Sequence, residues 1–452
     1  MTATEGALRR HAKALREQGH YVRELVCNPT SPIPNVLESA SEGASEGVRV
    51  ALVEMCETQV IDEVIFGSLG GLGFRAIQAK QAGLAFADVA LTVLLDGANV
   101  QRRRESSRLA DVEDLHREYA ERYAFENADA WLSPDPASSN PFSRDPKGSA
   151  LPFGSRLNEN PLVTVCVAHY NHGRFLPEAL AALAAQTYAN VEVIVIDDGS
   201  TDAFSQEAFA SEESKHPHFR FMRQPNAGIG ATRNRGLREA RGELFLTVDA
   251  DNVARPDMIE RFVAALAPRP DVAAVTCYFL AFEETADIAA GRFRYACRPT
   301  GGPHVLGCLR NVYGDANGMV RTEAFRAVGG YETDRGTSFE DWEAYLKLAH
   351  AGGRIDVVPD YLFYYRHLPT GFSRTTSPSA NYGRVLRQFA RLEGLPSEDR
   401  ESLWSLLAGL YEQTQALDAR QRSRRYRVAD WIAAWGRGLL GRSGDSGTNR
   451  RG

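Results

Sequence analysis

Apolar residues in this chain fall into short runs separated by amphipathic stretches, and the alternation is regular enough to place elements. Val163-Thr-Val-Cys-Val-Ala168 reads as a strand. Phe175 to Gln186 reads as a helix, because Leu176, Leu180 and Leu183 recur at helical spacing and Pro177 suits a first turn. Val191-Glu-Val-Ile-Val-Ile196 is apolar nearly throughout, as a strand covered on both faces should be. Together these predict a right-handed βαβ unit. Ile229 to Ala240 looks helical, and Glu243-Leu-Phe-Leu-Thr-Val248 is a further apolar run.

The first 135 residues repeat the alternation on a smaller scale. Val60 to Phe66, Val89 to Leu95 and Ala128 to Ser133 read as strands, with Gly67 to Ala82 and Leu109 to Asn127 as helices between them. The pattern predicts a second, smaller Rossmann-like α/β layer over residues 1–135. From Ser133 to Asn160 the chain is rich in Pro, Ser, Gly and Asn without periodicity, so 136–160 is expected to be a linker. The main α/β domain is then expected over 161–384, helices over 385–440 and a disordered tail over 441–452. Arg420, Arg422, Arg424, Arg425 and Arg427 precede Trp431, Ile432, Trp435 and Leu439 on one helix face. Such a face either meets anionic lipid or packs on the rest of the protein.

Charged residues cluster where these strands end. Asp249-Ala250-Asp251 closes the run Glu243–Val248, and in a strand side chains at i and i+2 point the same way. Two carboxylates facing one spot make a partial cage for Mg²⁺ or Mn²⁺ with positions left for a diphosphate, although Asp251-Asn252 is also ordinary turn chemistry. Asp197-Asp198-Gly199-Ser200-Thr201-Asp202 follows another strand, at the carboxyl end where open α/β sheets bind ligands; Ser200 or Asp202 also suits a helix cap. Arg233, on a helix, offers a charge-assisted hydrogen bond or else lies in solvent. Thr337 and Glu340 are spaced as a capping box. Asp341 is less easily explained that way, because Trp342, Tyr345, Leu346 and Ala349 continue an apolar face and leave the acids at an exposed mouth.

Five blocks in this order resemble the family 2 glycosyltransferases, which have the GT-A fold: Ala168-His169-Tyr170-Asn171, Asp197 to Asp202, Asn226-Ala227-Gly228 with Arg233-Asn234, Asp249-Ala250-Asp251, and Glu340-Asp341-Trp342. The resemblance covers about residues 161 to 375. It implies that Ala168 and Asp198 line the nucleobase pocket, with Tyr170 in the same donor-binding block and Asp198 accepting from a base N–H. Arg233 would reach the nucleotide, Asp249 the ribose and metal region, and Asp251 would be the main metal ligand. Asp341, with Glu340 beside it, would be the catalytic base that deprotonates an acceptor hydroxyl, so that one displacement inverts the anomeric carbon. Phe363-Tyr-Tyr-Arg-His367 and Ser373-Arg374 resemble the family's tail motif; His367 either completes the metal shell, binds phosphate, or is a half-buried, hydrogen-bonded histidine. Asn317-Gly318 and Gly329-Gly330 resemble the segment between the donor and acceptor halves, with the glycines permitting a tight bend. The implied activity is transfer from a nucleotide sugar, UDP-linked, to a bacterial polysaccharide or glycoconjugate.

Gly70-Gly71-Leu72-Gly73, Leu94-Leu95-Asp96-Gly97 and Tyr119-Ala-Glu-Arg122 resemble the amino-terminal half of family 4 glycosyltransferases, which have a GT-B fold. The donor-binding half of that fold is missing, and Asp96 stands where such enzymes often carry histidine. The layer is therefore expected to be a scaffold that presents acceptor or forms a homodimer, and a chain from Asn158 to Arg442 is expected to bind nucleotide and act on donor by itself.

Composition narrows the field. With 452 residues and 43% hydrophobic content the chain can bury two cores, and a formal charge of -6 argues against a nucleic-acid partner. Six cysteines, at 27, 56, 166, 277, 297 and 308, form no Cys-x-x-Cys pair and no zinc spacing, so reduced thiols are expected. No signal peptide and no bilayer-length apolar stretch is apparent, which places the protein in the cytoplasm, with peripheral contact at the inner face of the membrane through the basic helix. The main rival is a non-catalytic sugar-nucleotide-binding scaffold, against which the pairing of Asp251 with Asp341 argues. A nucleotidyltransferase should carry a Gly-rich loop with a basic residue after its first strand, and Ala168 to Gly173 is not that.

Overall fold

The computed structural model describes residues 3–18, 22, 36–37, 40–95, 97–106, 108–133, 142, 157–390 and 403–409. The Arg420–Leu439 stretch, the 441–452 tail, Asp96 and most of 136–160 lie outside them.

Among the described residues, four parallel strands form one end of a ten-stranded sheet, in the spatial order Leu244–Asp249, Val163–His169, Val191–Asp197, Arg220–Arg223. Val163 pairs with Val191 on one side and Leu244 on the other, so both inner strands begin and end together. Period-two alternation assigns their side chains to two cores. Val165 and Val167 pack with Leu176, Leu180 and Leu183 of helix Leu176–Ala184, whereas Cys166, Ile194 and Ile196 pack with Leu237 of helix Ile229–Glu239. A Cβ on Gly236 would come within 2.2 Å of the Cys166 sulfur, so only glycine lets this helix lie so close to the sheet. Helix and strand bounds here match the periodicity to within a few residues.

Beyond Leu244–Asp249 the sheet turns antiparallel through Met319–Arg321, then Val272–Phe282, which pairs in parallel with Arg354–Arg366. All eleven residues of Val272–Phe282 are buried. The sequence reading placed no strand there, since an unbroken apolar run has no periodicity to tell a buried strand from a buried helix.

The amino-terminal layer is a three-stranded parallel sheet of Glu63–Gly67, Ala90–Leu94 and Ala130–Leu132. Its helices differ from expectation at their starts. A 3₁₀ turn at Leu69–Gly71, with Gly70 at φ 76°, delays the first of them to Phe74–Gln81. Asp111 accepts from the Asp114 N–H at 2.8 Å and fixes the start of Val112–Asn127. Buried Glu121 accepts from the Gly70 N–H and the Asn99 N–H, both at 2.7 Å, so the glycine block and the Tyr119–Arg122 block meet in space. No helix among the described residues is long and apolar enough to cross a membrane.

The two sheets share a polar interface centred on the buried Asp356, Gln78, Tyr123 and Arg75. Asp356, on strand Arg354–Arg366 of the large sheet, accepts from the Tyr123 hydroxyl at 2.9 Å and from Gln78 at 3.1 Å, both from the small layer, and is paired with Arg269. Burial alone would raise the Asp356 pKa, but Arg269 and Arg354 hold it below the ordinary carboxylate value. Arg75 donates to the Pro299 carbonyl at 3.0 Å and lies over the Tyr278 ring. Val36–Leu37 adds a parallel edge strand to Tyr295–Cys297 of the large sheet. Removing the layer would strip buried Asp356 of two donors, so a chain from Asn158 to Arg442 is expected to lose stability.

Tyr123→Phe and Gln78→Leu should each therefore lower the unfolding free energy by about 1–3 kcal/mol. Because the Asp356 pKa is lowered in the fold, its contribution is present above the ordinary Asp value and disappears as pH falls through and below it. Denaturant unfolding of the two variants beside the wild type checks this; unchanged midpoints would show that the layers are coupled by apolar contact alone.

Candidate active site

The parallel strands deliver their carboxyl ends to one edge, and the loops there are tied together. Asn171, at φ 53°, receives the Thr201 N–H on its side-chain oxygen at 2.8 Å, while its own N–H donates to Ser200 Oγ at 2.9 Å. Asp202 caps helix Ala203–Lys215 by accepting from the Ser205 N–H, so that part of the acidic block is structural. Ser200 is not a cap; its hydroxyl donates to Asp197. Gly199 sits at φ 74° with the Asn226 nitrogen 2.8 Å from where a Cβ would stand, so the second loop packs directly on the third.

Asp198 is buried beneath that contact. Its carboxylate accepts from Gln224 Nε2 at 2.7 Å, the Ala227 N–H at 2.8 Å and the Gly228 N–H at 2.9 Å. Three of about four lone-pair positions are thus occupied by protein donors. Asp198 anchors the Asn226-Ala227-Gly228 loop, which differs from the expectation of a carboxylate open to a base N–H. Ala168 is half-buried at its strand end and Tyr170 is exposed beside it.

Arg233 is buried, which excludes the solvent reading. Its guanidinium spans two motifs, donating through Nη2 to Asp249 Oδ1 at 2.5 Å and through Nη1 to Glu340 Oε1 at 2.7 Å, with the Tyr331 ring packed against it. Instead of reaching outward to a nucleotide, it joins the Asp-x-Asp turn to the Glu-Asp helix. Asp249 ends its strand, and the turn that follows is closed by the Asn252 N–H on the Asp249 carbonyl. Asp251 is therefore two residues past the strand's end, but its charge still meets that of Asp249. Burial, then Asp249, pushes the Asp251 pKa up to about 7.

Glu340 and Asp341 open helix Glu340–His350, without the expected capping box. The residue before the helix is Phe339 at φ 74°, an uncommon conformation for a bulky residue, and Thr337 instead accepts from Arg384. The strained Phe339 is held by edge-on packing on Tyr382, by the adjacent Ser338 N–H on Asn381, and by the Trp342 indole N–H on the Gly307 carbonyl at 2.6 Å. The acids do not lie at an exposed mouth: Glu340 is buried and Asp341 half-buried. Burial, Glu340 and Asp315 raise the Asp341 pKa well above the ordinary value.

Two site residues escaped the sequence reading. Asp315 is buried within electrostatic reach of Asp249 and Asp341, and burial followed by Asp249 pushes its pKa up to about 7. Its only sequence signal is an acid two positions before Asn317, whose side-chain oxygen accepts from the Asp249 N–H at 3.1 Å. The second is Arg366, which donates from Nε to the Asp251 carbonyl at 3.0 Å, pairs with Glu178, and is held between the Phe175 and Phe282 rings. In the tail motif it is thus Arg366, not His367, that touches the Asp-x-Asp turn. His367 accepts from Arg374 through Nδ1 at 2.6 Å, and its pKa is lowered by burial and by Arg374 and Arg294. Among the described residues its ring does not converge with Asp249 and Asp251 into a set of ligand atoms. Gly329 and Gly330 do form the expected bend, at φ 80° and 61°.

Known proteins resemble this region of the chain. Residues 164–329 match the family described as Glycosyl transferase family 2; the match includes Asp249 and Asp251 and stops short of Glu340 and Asp341. A putative glycosyltransferase EpsH from Bacillus subtilis is 35% identical over 130 residues, 28% of this chain and 36% of that protein. Glycosyltransferase GlyA from Streptococcus pneumoniae is 33% identical over 148 residues, 32% of this chain and 19% of that protein. The matched stretch thus spans little more than a third of the first relative's length and a fifth of the second's. A solved structure of S. aureus TarS residues 1–349 with UDP-GlcNAc is 21% identical, with a TM-score of 0.43, covering 54% of this chain and 71% of that one. The stretch that holds the tied loops, Arg233 and the Asp-x-Asp turn is thus the part of the chain that is similar to glycosyl transferase family 2.

Proposed function

We propose that this protein is an inverting glycosyltransferase that moves a sugar from a nucleoside-diphosphate donor, UDP-linked, to a hydroxyl of a polysaccharide or glycoconjugate, with Mn²⁺ or Mg²⁺ as cofactor. The observation that supports the reading is the buried guanidinium of Arg233, which bridges Asp249 of the Asp-x-Asp turn and Glu340 beside Asp341 at the carboxyl edge of the family-matched sheet. Burial and neighbouring carboxylates raise the pKa of Asp251, Asp315 and Asp341 above the ordinary carboxylate value. A hard-oxygen donor set under that repulsion fits a divalent ion. Asp251 and Asp249 would hold it, and when bound it would neutralise charge accumulating on the departing diphosphate.

The chain's own residues supply the rest. Ala168, Tyr170 and the loop anchored by Asp198 would seat the nucleotide. Asp341 would take the proton from the acceptor hydroxyl as its oxygen attacks the anomeric carbon and the carbon–oxygen bond to the diphosphate breaks; the proton later passes to solvent. Burial makes Asp341 a stronger base than an exposed carboxylate, which suits this task. Glu340, held by Arg233, orients the helix turn on which Asp341 sits.

Asp251→Asn should abolish transfer and weaken nucleoside-diphosphate binding, and chelation of the wild type should do likewise; full activity in excess EDTA would sink the metal assignment.

Asp341→Asn should leave donor binding intact and cut transfer by about 10²-fold or more. NMR of the product should give the anomeric configuration opposite to the donor's, and a retained configuration would refute single displacement.

A third expectation concerns pH. The folded pKa values of Asp251 and Asp315 are raised, so their share of stability is present below the unfolded carboxylate value and is lost as pH rises through about 7. In chelator, the thermal midpoint should fall between about pH 4 and pH 7 and level off above that, and Asp315→Asn should flatten the fall. Parallel curves for variant and wild type would count against the coupled cluster.

A further inference from the structure

Away from the acid cluster, His304, Cys308 and His350 bring their ligand atoms within 4.8 Å of one another. His304 opens helix His304–Gly307 and Cys308 follows it directly, so the two stand at i and i+4 on one face. His350 is the last residue of helix Glu340–His350, whose first turn carries Glu340 and Asp341. The two imidazoles meet edge to face, 4.7 Å between centroids.

The polar atoms aimed into this cluster are what make it more than a contact. Nε2 of His304 and Nε2 of His350 are both buried without a hydrogen-bond partner. Buried ring nitrogens are normally paired, and leaving one unpaired costs about 1–3 kcal/mol. His304 Nδ1 lies 2.9 Å from the Tyr313 hydroxyl. A proton on Nδ1 donated to that oxygen leaves the Nε2 lone pair directed at Cys308 and His350, the arrangement by which a second hydrogen bond orients a metal-bound histidine. The site also lies at the carboxyl end of a helix, where the backbone dipole favours a cation.

We propose that His304 Nε2, His350 Nε2 and the Cys308 thiolate bind one zinc-type transition-metal ion, with water at the fourth position. Two imidazoles and a thiolate suit Zn²⁺ and not the oxygen-preferring Mg²⁺. On binding, the Cys308 thiol gives its proton to solvent and the sulfur forms the metal bond. Tetrahedral coordination needs ligand atoms about 3.3–3.6 Å apart, so the side chains close in by about 1 Å. Both histidines are only half-buried, which leaves a path for the ion. The bound ion ties the far end of the Glu340–His350 helix to the 304–308 segment, adding to the Trp342 bond on Gly307 near the other end. It therefore fixes the helix that presents Asp341. Sequence spacing could not reveal this site, because its third ligand comes from a distant helix.

The test uses the full chain and Co²⁺ as a spectroscopic probe, so it does not depend on the proposed transferase activity. Wild type should bind one Co²⁺ with thiolate charge-transfer absorption and intense tetrahedral visible bands, and Zn²⁺ should displace it. Asp251→Asn should keep those signals. Cys308→Ser should lose the charge-transfer band, His350→Gln should lose the tetrahedral spectrum, and Tyr313→Phe should weaken binding by about 10-fold or more. Circular dichroism identifies any variant that does not fold, and the one-atom Cys308→Ser change decides if His350→Gln fails to. A wild type without thiolate absorption, or a folded Cys308→Ser protein with the wild-type spectrum, overturns the proposal.

Discussion

The buried guanidinium of Arg233 is the interaction on which the site depends. It touches Asp249 at a strand exit and Glu340 in the first turn of a helix, two elements that share no backbone hydrogen bond. Like charges a few ångströms apart repel by several kcal/mol even at an effective dielectric of about 20. Arg233 compensates Asp249 and Glu340 directly and Arg366 supports the Asp251 turn, so the acids at the mouth of the sheet do not stand uncompensated. Arginine is required for geometric reasons as well: two donors in one rigid plane reach two carboxylates at once, which a lysine ammonium on a flexible stem would not do with the same alignment.

Around that centre the positions are over-determined, and the supports come from far along the chain. Arg366 holds the Asp251 turn from below, while Asn317 receives the Asp249 N–H. Phe339 keeps its left-handed conformation because Trp342, Tyr382 and the Arg384–Glu343 pair fix the elements on either side. Strain of this kind persists only where the surroundings enforce it, and here it sets the angle at which Asp341 enters the site. The amino-terminal layer extends the same logic, since Tyr123 and Gln78 complete the hydrogen bonding of Asp356 at the heart of the large sheet. Its role in the fold is therefore integral, whatever it presents to an acceptor.

Much of this was written locally. The strands Val163–His169 and Val191–Asp197, the helix between them, and the three small-layer strands follow from short apolar runs, from helical spacing and from residues such as Pro177 whose effects are local. Two of the motif blocks, at Asp197 and Asp249, sit at the ends of strands that the apolar pattern itself defines. The strand Val272–Phe282 was not legible, because a segment buried on every side carries no periodicity.

What the sequence determined by itself was which residues stand at the carboxyl ends of the parallel strands and at the start of the Glu340 helix. What only the tertiary structure decided was partnership. Asp198 became a loop anchor, Arg233 a bridge between carboxylates and Arg366 the support of the Asp251 turn, while Asp315 joined the cluster and His367 turned to Arg374. The physical reason is that a charged side chain buried at a site takes its role from the charges brought within a few ångströms of it. Those neighbours come from segments distant in the chain, so no local pattern of residues encodes them.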